Sequence, residues 1–144
     1  MKFHKHEEFI EERRAFYKTL SQRPVFCQLL QNMVNFNSKG FYHLRYNGAG
    51  HKRSNKEQIY RLSLLPLAIP VIKNASMISS YEERYIKKEN KYAKFWALKA
   101  DVGKYNSSVT VILRKIGDGE ITFYSIMKAR EKNDHKHENK KIAI

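Results

Sequence analysis

The chain has a single cysteine, Cys27, among its 144 residues. One cysteine cannot form an intrachain disulfide, and it cannot build a cysteine-based zinc site. Because Cys27 lies among apolar residues, we predict that it is a core side chain and not a nucleophile. The sequence has no apolar run of about 18 residues, and the N-terminal MKFHKHEEF lacks the apolar segment of a signal peptide. These absences favour a cytoplasmic protein without a membrane partner.

Acidic residues are scarce: 14 Asp and Glu stand against 28 Lys and Arg, which gives a formal net charge of +14. From Arg13 to Tyr81 the only acid is Glu57, whereas eleven Lys and Arg fall in the same interval. Such a field attracts polyanions over long distances, and nucleic acid is its commonest partner. The alternative is a generally basic protein without a specific ligand.

Several enzyme signatures are missing. The sequence contains neither a G-x-x-x-x-G-K-[ST] phosphate-binding loop nor a G-x-S-x-G nucleophile elbow. Its segment richest in His and Arg lacks the clustered carboxylates with which metal-dependent nucleases hold their ions. Two histidine pairs, His4 with His6 and His135 with His137, have no evident third ligand. We therefore expect no metal and no other cofactor.

The N-terminal half has mostly helical patterning. Apolar residues recur at helical spacing over residues 9–20 and 25–34, which predicts two helices separated by Pro24. FYHLRY (41–46) alternates and predicts an extended segment, and the following NGAG predicts a turn.

A further helix is predicted from about Asn55. Ser54 and Glu57 have the spacing of a capping box, which marks a helix start. Pro66 and Pro70 should interrupt this helix, which we expect to end near Asn74.

Strand patterning follows Met77, with candidate strands at 81–87, 92–102, 109–116 and 120–127 and a hairpin turn at 117–119. Helices first and strands second predict an α+β fold, with N-terminal helices packed on one face of a four- to five-stranded antiparallel sheet. We divide the chain into an N-terminal helix (1–24), an α+β domain (25–128) and a basic, flexible tail (129–144).

The last hairpin should have an apolar face and a polar face. Placing Ile116 opposite Glu120 pairs residues 113, 111 and 109 with Phe123, Ser125 and Met127 on the apolar face. The other face would pair Ile112 with Tyr124 and Thr110 with Ile126. Its polar, cationic surface would comprise Arg114, Thr122, Tyr124 and Lys128. The alternative is an ordinary solvated sheet face.

The stretch FYHLRYNGAGHKRSNKEQ (41–58) combines histidines and arginines with a single acid, Glu57. RNA can be cleaved without a metal when its 2′-hydroxyl attacks the adjacent phosphate, which requires a base, an acid and donors around the phosphate. Histidine serves as acid or base near neutral pH, and arginine clamps phosphate oxygens. Candidates for these roles are His43, Arg45, His51, Arg53, Thr122 and Tyr124. A histidine could instead hydrogen-bond a backbone carbonyl.

Three segments resemble the barnase–EndoU–colicin–RelE superfamily of metal-independent ribonucleases, in particular its members in phage proteins and polymorphic toxins. They are FYHLRY, the basic loop and proline-interrupted helix GHKRSNKEQIYRLSLLPLAIPVIKNA, and the final ITFYSIMK. The resemblance covers roughly residues 25–128. It implies helices on one side of an antiparallel sheet, with RNA bound across the open side. It also implies that an early basic cluster meets a late hydroxyl, Thr122 or, failing it, Ser125.

The leading hypothesis is a small toxin-like or phage-encoded ribonuclease that acts by 2′-hydroxyl transesterification. His51 would be the general base or acid, with His43 as its alternate. Arg45 and Arg53 would hold the scissile phosphate. The expected RNA-binding residues are Lys52, Lys56, Arg114, Ser125 and Lys128. The resemblance also implies an acidic antitoxin or immunity protein as a partner.

Two alternatives stay open. One is a non-catalytic RNA- or DNA-binding module in which Tyr42, Tyr46 or Trp96 stacks on bases. The other is a phage accessory or interaction protein whose charge maintains solubility.

Overall fold

The computed structural model describes residues 3–103 and 107–128. The helices are α1 (Phe3–Leu20), α2 (Ser38–Arg45), α3 (Asn55–Leu64) and α4 (Ala68–Asn74). The strands are β1 (Val25–Cys27), β2 (Asn32–Asn35), β3 (Met77–Ile86), β4 (Lys91–Val102), β5 (Ser107–Ile116) and β6 (Ile121–Lys128). A 3-10 turn, Leu65–Leu67, joins α3 to α4.

Within the described residues the strands form one sheet of six, in the order β1-β2-β6-β5-β4-β3. Neighbouring strands are antiparallel except β2 and β6, which are parallel. The predicted α+β class is confirmed. The sheet exceeds the predicted four or five strands because part of the segment expected to be helical forms β1 and β2.

One face of the sheet and the helices enclose the main core. Ile10 and Tyr17 from α1 are buried in the same apolar cluster as Leu113 and Phe123 from the sheet. Cys27 is fully buried there, as predicted. Burial of this apolar surface stabilises the fold at about 25 cal/mol per Å² removed from water.

The helix predicted near Asn55 is confirmed as α3. The Ser54 hydroxyl oxygen accepts a hydrogen bond from the Glu57 backbone N–H at 3.1 Å, which satisfies one of the free donors of the first turn. Pro66 lies in the 3-10 turn, and the chain resumes as α4 up to Asn74, as predicted.

The predicted helix over residues 25–34 is wrong, because this segment forms β1, a tight turn and β2. Gln31 in the turn has a positive φ of 51°, a conformation that no α-helix contains. Val25 pairs with Val34, and Val34 in turn pairs with Ile121 of β6. The tertiary pairing with β6 therefore overrides the helical spacing of the apolar residues.

The predicted extended segment over residues 41–46 is also wrong, because most of it lies in α2. The Asn37 side chain caps this helix by accepting from the backbone N–H of Lys39 and Gly40 at 3.1 and 3.4 Å. Gly40 permits close approach to β6, since a Cβ there would lie 2.8 Å from the Phe123 carbonyl oxygen. The helix therefore lies directly against the sheet.

The register of the last hairpin is correct only near its turn. Arg114 pairs with Thr122 and Leu113 with Phe123, as predicted. An irregularity then shifts the register by one residue, so that Ile112 pairs with Ser125 instead of Tyr124. Tyr124 is thus the extra residue of a β-bulge, a feature that bends a strand and redirects side chains.

The other register predictions beyond that bulge are corrected in the same way. Val111 pairs with Ile126, Thr110 with Met127 and Val109 with Lys128.

The predicted tail, 129–144, lies outside the described residues, and so do His135 and His137. No helix in the described part of the chain combines the length and apolar character needed to cross a membrane.

Candidate functional site

A cavity of about 970 Å³ lies between α2 and the sheet face that the other helices leave uncovered. Its floor belongs to a second, smaller apolar cluster that includes Ala93, Phe95 and Tyr124. The lining is strongly cationic, with Arg14, Lys39, Arg45, Arg84, Lys88 and Arg114.

His43 reaches the cavity from α2 and packs on the floor. Its ring lies 4.0 Å from the ring of Tyr124, centroid to centroid, at 36°. Its Nδ1 is buried and has no hydrogen-bond partner among the described residues. Partial burial, and then the nearby charges of Arg114, Arg53 and Lys39, lower the pKa of His43 to about 4. The imidazole is therefore neutral at physiological pH and can accept a proton.

Arg114 reaches the cavity from β5 and covers the ring of Tyr124, on which His43 also packs. Its guanidinium carbon lies 4.7 Å from the Tyr124 ring centroid, and its Nε is buried without a partner in the described part of the chain. Burial lowers the pKa of Arg114 from its usual value, an effect that Tyr124 and Glu89 oppose. An arginine with so high an intrinsic pKa stays charged at neutral pH.

Tyr124 keeps its proton. Burial raises the pKa of its hydroxyl, although the cations Arg114, Arg84 and Arg53 partly oppose that rise. A neutral phenol beside arginine donates a hydrogen bond or a proton to an anion. His43 and Tyr124 thus form an acceptor and a donor in contact within one cationic cavity.

Three acids neutralise part of the charge, the first of them Glu11, whose carboxylate oxygen lies 3.3 Å from Nε of Arg14. Arg84 lies 5.2 Å from the Phe95 ring centroid and bonds to Glu82, which precedes it by two residues on β3. Lys39 lies 3.8 Å from Glu89, a contact between exposed groups that contributes little. The remaining positive charge favours an anionic ligand.

A pair of tyrosines forms part of the cavity wall. The rings of Tyr42 and Tyr46 stack in parallel, 4.5 Å apart at 10°. Tyr42 is 44% exposed, so that one of its surfaces is open to solvent. Arg45 extends this platform, with its guanidinium carbon 6.0 Å from the Tyr46 ring. Such a platform suits a planar base.

A polar network behind the cavity holds α2 and α3 together. Arg45 donates through Nε to the Gln58 side-chain oxygen at 3.0 Å, and the Gln58 amide donates to the Arg53 carbonyl at 2.8 Å. Arg53 donates through Nε to the His43 carbonyl at 3.1 Å and so fixes the backbone of the histidine. Gln58 is fully buried.

The same region includes a buried arginine that joins α3 to β6. Arg61 donates through Nη1 to the Ser125 hydroxyl at 2.6 Å and lies 2.9 Å from a Glu57 carboxylate oxygen. Ser125, a predicted RNA-binding residue, is fully buried and serves this contact.

The structure brings together four of the predicted site residues, since His43, Arg45, Arg114 and Tyr124 all line the cavity. His51 does not line it. This histidine lies in the exposed turn after α2, where its backbone N–H donates to the Asn47 side chain at 3.0 Å.

The other predicted residues have different surroundings. Thr122 donates through its hydroxyl to the Arg114 carbonyl at 3.3 Å, and Arg53 belongs to the polar network. The remaining predicted lysines, none of which lines the cavity, are exposed: Lys52, Lys56 and Lys128.

Sequence reasoning missed the cations contributed by distant segments, namely Arg14, Lys39, Arg84 and Lys88. The position of Arg84 could have been predicted from the sequence, because it directly precedes Tyr85 on β3 and must therefore face the opposite side of the sheet. The ion pair of Arg61 with Glu57 could also have been predicted, since Arg61 follows Glu57 by a single helical turn.

Within the described residues, no three or more His, Cys, Asp and Glu side chains cluster in a way that could hold a metal ion. Comparisons with protein-family models, curated proteins and solved structures give no match for this chain. The resemblance to the barnase–EndoU–colicin–RelE superfamily therefore stays a prediction from short motifs.

Proposed function

We propose that the protein is a metal-independent endoribonuclease that cleaves single-stranded RNA. The observation that carries the proposal is the stack of His43 on Tyr124 inside a cavity lined by six Lys and Arg side chains. The stack supplies a proton acceptor and a proton donor, and the cations favour the phosphate on which both would act.

The proposed reaction is an internal transesterification. Neutral His43 removes the proton from a 2′-hydroxyl, and the 2′-oxygen forms a bond to the adjacent phosphorus. The bond from phosphorus to the 5′-oxygen breaks, and the Tyr124 hydroxyl gives its proton to that oxygen. The products are a 2′,3′-cyclic phosphate and a free 5′-hydroxyl, and solvent returns the protons to their starting positions.

The arginines stabilise the phosphate as its charge grows. Arg114 covers the Tyr124 ring and lines the cavity, so that its guanidinium group can donate to an equatorial oxygen. Arg84 lies on the same sheet face and can bind a second oxygen by exchanging its contact with Glu82. Tyr42 would support the base next to the scissile bond.

A second candidate is a non-catalytic RNA-binding module. The observation that favours it is the solvent-exposed Tyr42–Tyr46 platform beside the cations, which can hold RNA without any chemistry. It predicts salt-sensitive binding and no cleavage.

The two candidates are separated by incubating the protein with a single-stranded RNA in excess chelator and identifying the product termini. The nuclease proposal predicts cyclic phosphate ends, and a loss of at least about 100-fold in the cleavage rate for His43→Gln. The matched control is His51→Gln, which alters an exposed histidine outside the cavity and should keep wild-type cleavage. Binding without cleavage, or an equal loss in both variants, would reject the assignment of His43.

A further inference from the structure

Four aromatic side chains form a ladder on the face of the sheet opposite the cavity. Tyr81 of β3 pairs with Trp96 of β4, and Tyr85 pairs with Tyr92. The ring centroids are 5.8 Å and 5.2 Å apart in these two pairs. We call Tyr81, Tyr85, Tyr92 and Trp96 the aromatic ladder.

The ladder continues the main core into solvent. Trp96 packs against the core cluster, whereas the three tyrosines extend beyond it. Tyr81 and Tyr85 are each 47% exposed, and Tyr92 is 67% exposed. Large aromatic side chains exposed this far, and grouped in this way, are characteristic of an interaction surface.

Lysines identify the kind of partner. Lys94 lies between the two aromatic pairs on β4, and Lys115 lies opposite Lys94 on β5. Across from Lys94, Glu83 accepts a hydrogen bond from the Tyr81 hydroxyl at 2.8 Å. Aromatic rings that alternate with lysine are the elements with which proteins bind single-stranded nucleic acid.

The spacing fits an extended strand. Tyr81 and Tyr85 are four residues apart on a regular strand, a distance of about 13 Å. That distance leaves space for more than one nucleotide between the aromatic pairs, with Lys94 positioned toward the intervening backbone. Protein–protein interfaces are depleted of lysine, so the lysines beside the ladder favour a nucleic-acid partner over a protein.

The ladder and the cavity meet at one end of the sheet. Lys88 and Glu89, in the turn between β3 and β4, line the cavity. The Tyr85–Tyr92 pair lies just beside that turn, since the next pair along the strands is Ile86 with Lys91. An RNA strand that leaves the cavity can therefore pass this lysine-rich turn and reach the aromatic ladder.

We propose that the aromatic ladder is a second binding site for single-stranded RNA, which holds the part of the substrate that extends beyond the cavity. The inference rests on the proposed function for its substrate class. It implies that long single strands bind more tightly than short ones, because only long strands contact both faces of the sheet.

The test measures RNA binding directly, in the His43→Gln background so that the RNA stays intact. The long probe is an oligouridylate of about 12 nucleotides, which lies within the usual range of single-strand site sizes. The short probe is an oligouridylate of about three nucleotides, which lies below that range. Replacing all three exposed tyrosines of the ladder by alanine should weaken binding of the long probe at least about tenfold and leave the short probe unchanged.

Two controls make the result specific. The corresponding triple change to phenylalanine keeps the stacking rings and should bind like the parent. Phe26→Ala alters an aromatic of equal exposure, 47%, on β1 at the opposite edge of the sheet, and should also have no effect.

Unchanged affinity for the long probe in the triple alanine variant would overturn the proposal. Self-association that this variant abolishes, with RNA binding intact, would assign the ladder to a second copy of the chain and also overturn it. If the wild-type protein binds the long probe through the ladder but never cleaves RNA, the ladder stands and the nuclease proposal falls.

Discussion

The two faces of strands β3 to β5 carry opposite chemistry on adjacent residues. Arg84 and Arg114 lie on the cavity face, partly buried against aromatic rings. Their neighbours Tyr85 and Lys115 lie on the other face, Tyr85 in the aromatic ladder and Lys115 beside it. The period of two along a strand makes this division possible within a few residues.

The two faces differ in the solvent exposure of their side chains. Burial at the cavity lowers the pKa of His43 and raises that of Tyr124, so that both groups are neutral at physiological pH, one able to accept a proton and the other able to donate one. The ladder is solvated and holds no titratable pair of this kind. Its exposed rings can bind, but they cannot provide a desolvated site for chemistry. We therefore propose that the cavity face carries out catalysis and that the ladder face provides additional substrate binding.

The sharpest way to break this comparison is to change Arg114 and Lys115 separately. Arg114→Gln should lower the cleavage rate of a short RNA by about 100- to 1,000-fold, because it removes a charge aimed at the transition state. Lys115→Gln should change that rate by less than about twofold. The measurement is single-turnover cleavage with both variants in the same buffer. Equal losses would mean that the two faces do not differ in function.

A smaller effect is expected from removing single hydroxyls. Tyr124→Phe keeps the ring that packs on His43 and Phe95 but removes the proposed proton donor. Cleavage should fall by roughly 10- to 100-fold with little change in RNA affinity. Tyr85→Phe on the ladder should leave both quantities unchanged. A normal cleavage rate in Tyr124→Phe would exclude this hydroxyl as the acid.

The next prediction concerns the support of the cavity face. Gly40→Ala places a Cβ 2.8 Å and 2.9 Å from the carbonyl oxygen and Cδ2 of Phe123, and also against the Tyr17 hydroxyl. Separation of α2 from β6 should cost about 1–3 kcal/mol of unfolding free energy. The melting temperature should fall by roughly 3–10 °C, measured by circular dichroism. An unchanged melting temperature would show that α2 is not packed this tightly.

The sequence predicts the strands β4, β5 and β6 well, because the alternation of residues within each strand and the glycine turn between β5 and β6 are local signals. It fails for β1 and β2, since their strand character depends on pairing with β6, about 87 residues away from Val34 at Ile121. Local patterns contain no information on such a contact.

The candidate site is predicted only in part, because local patterns also contain no information on the tertiary contacts that build it. His43 and Tyr124 could be named from their chemistry, but their contact depends on the helical state of α2 and on the bulge at Tyr124. Neither feature follows from local spacing. His51 has the same chemistry as His43, and only the tertiary position of the turn after α2 separates the two.

The measurement that tests the central claim most directly is the pH dependence of kcat/KM for cleavage of a short single-stranded RNA in chelator. Because the pKa of His43 is lowered to about 4, the proton acceptor is already neutral well below neutrality. The rate should rise through about pH 4 and then remain level from about pH 5.5 to about pH 9, since the raised pKa of Tyr124 keeps the donor protonated there. No cleavage at any pH, or a limb centred near the ordinary histidine pKa of about 6.5, would contradict the account.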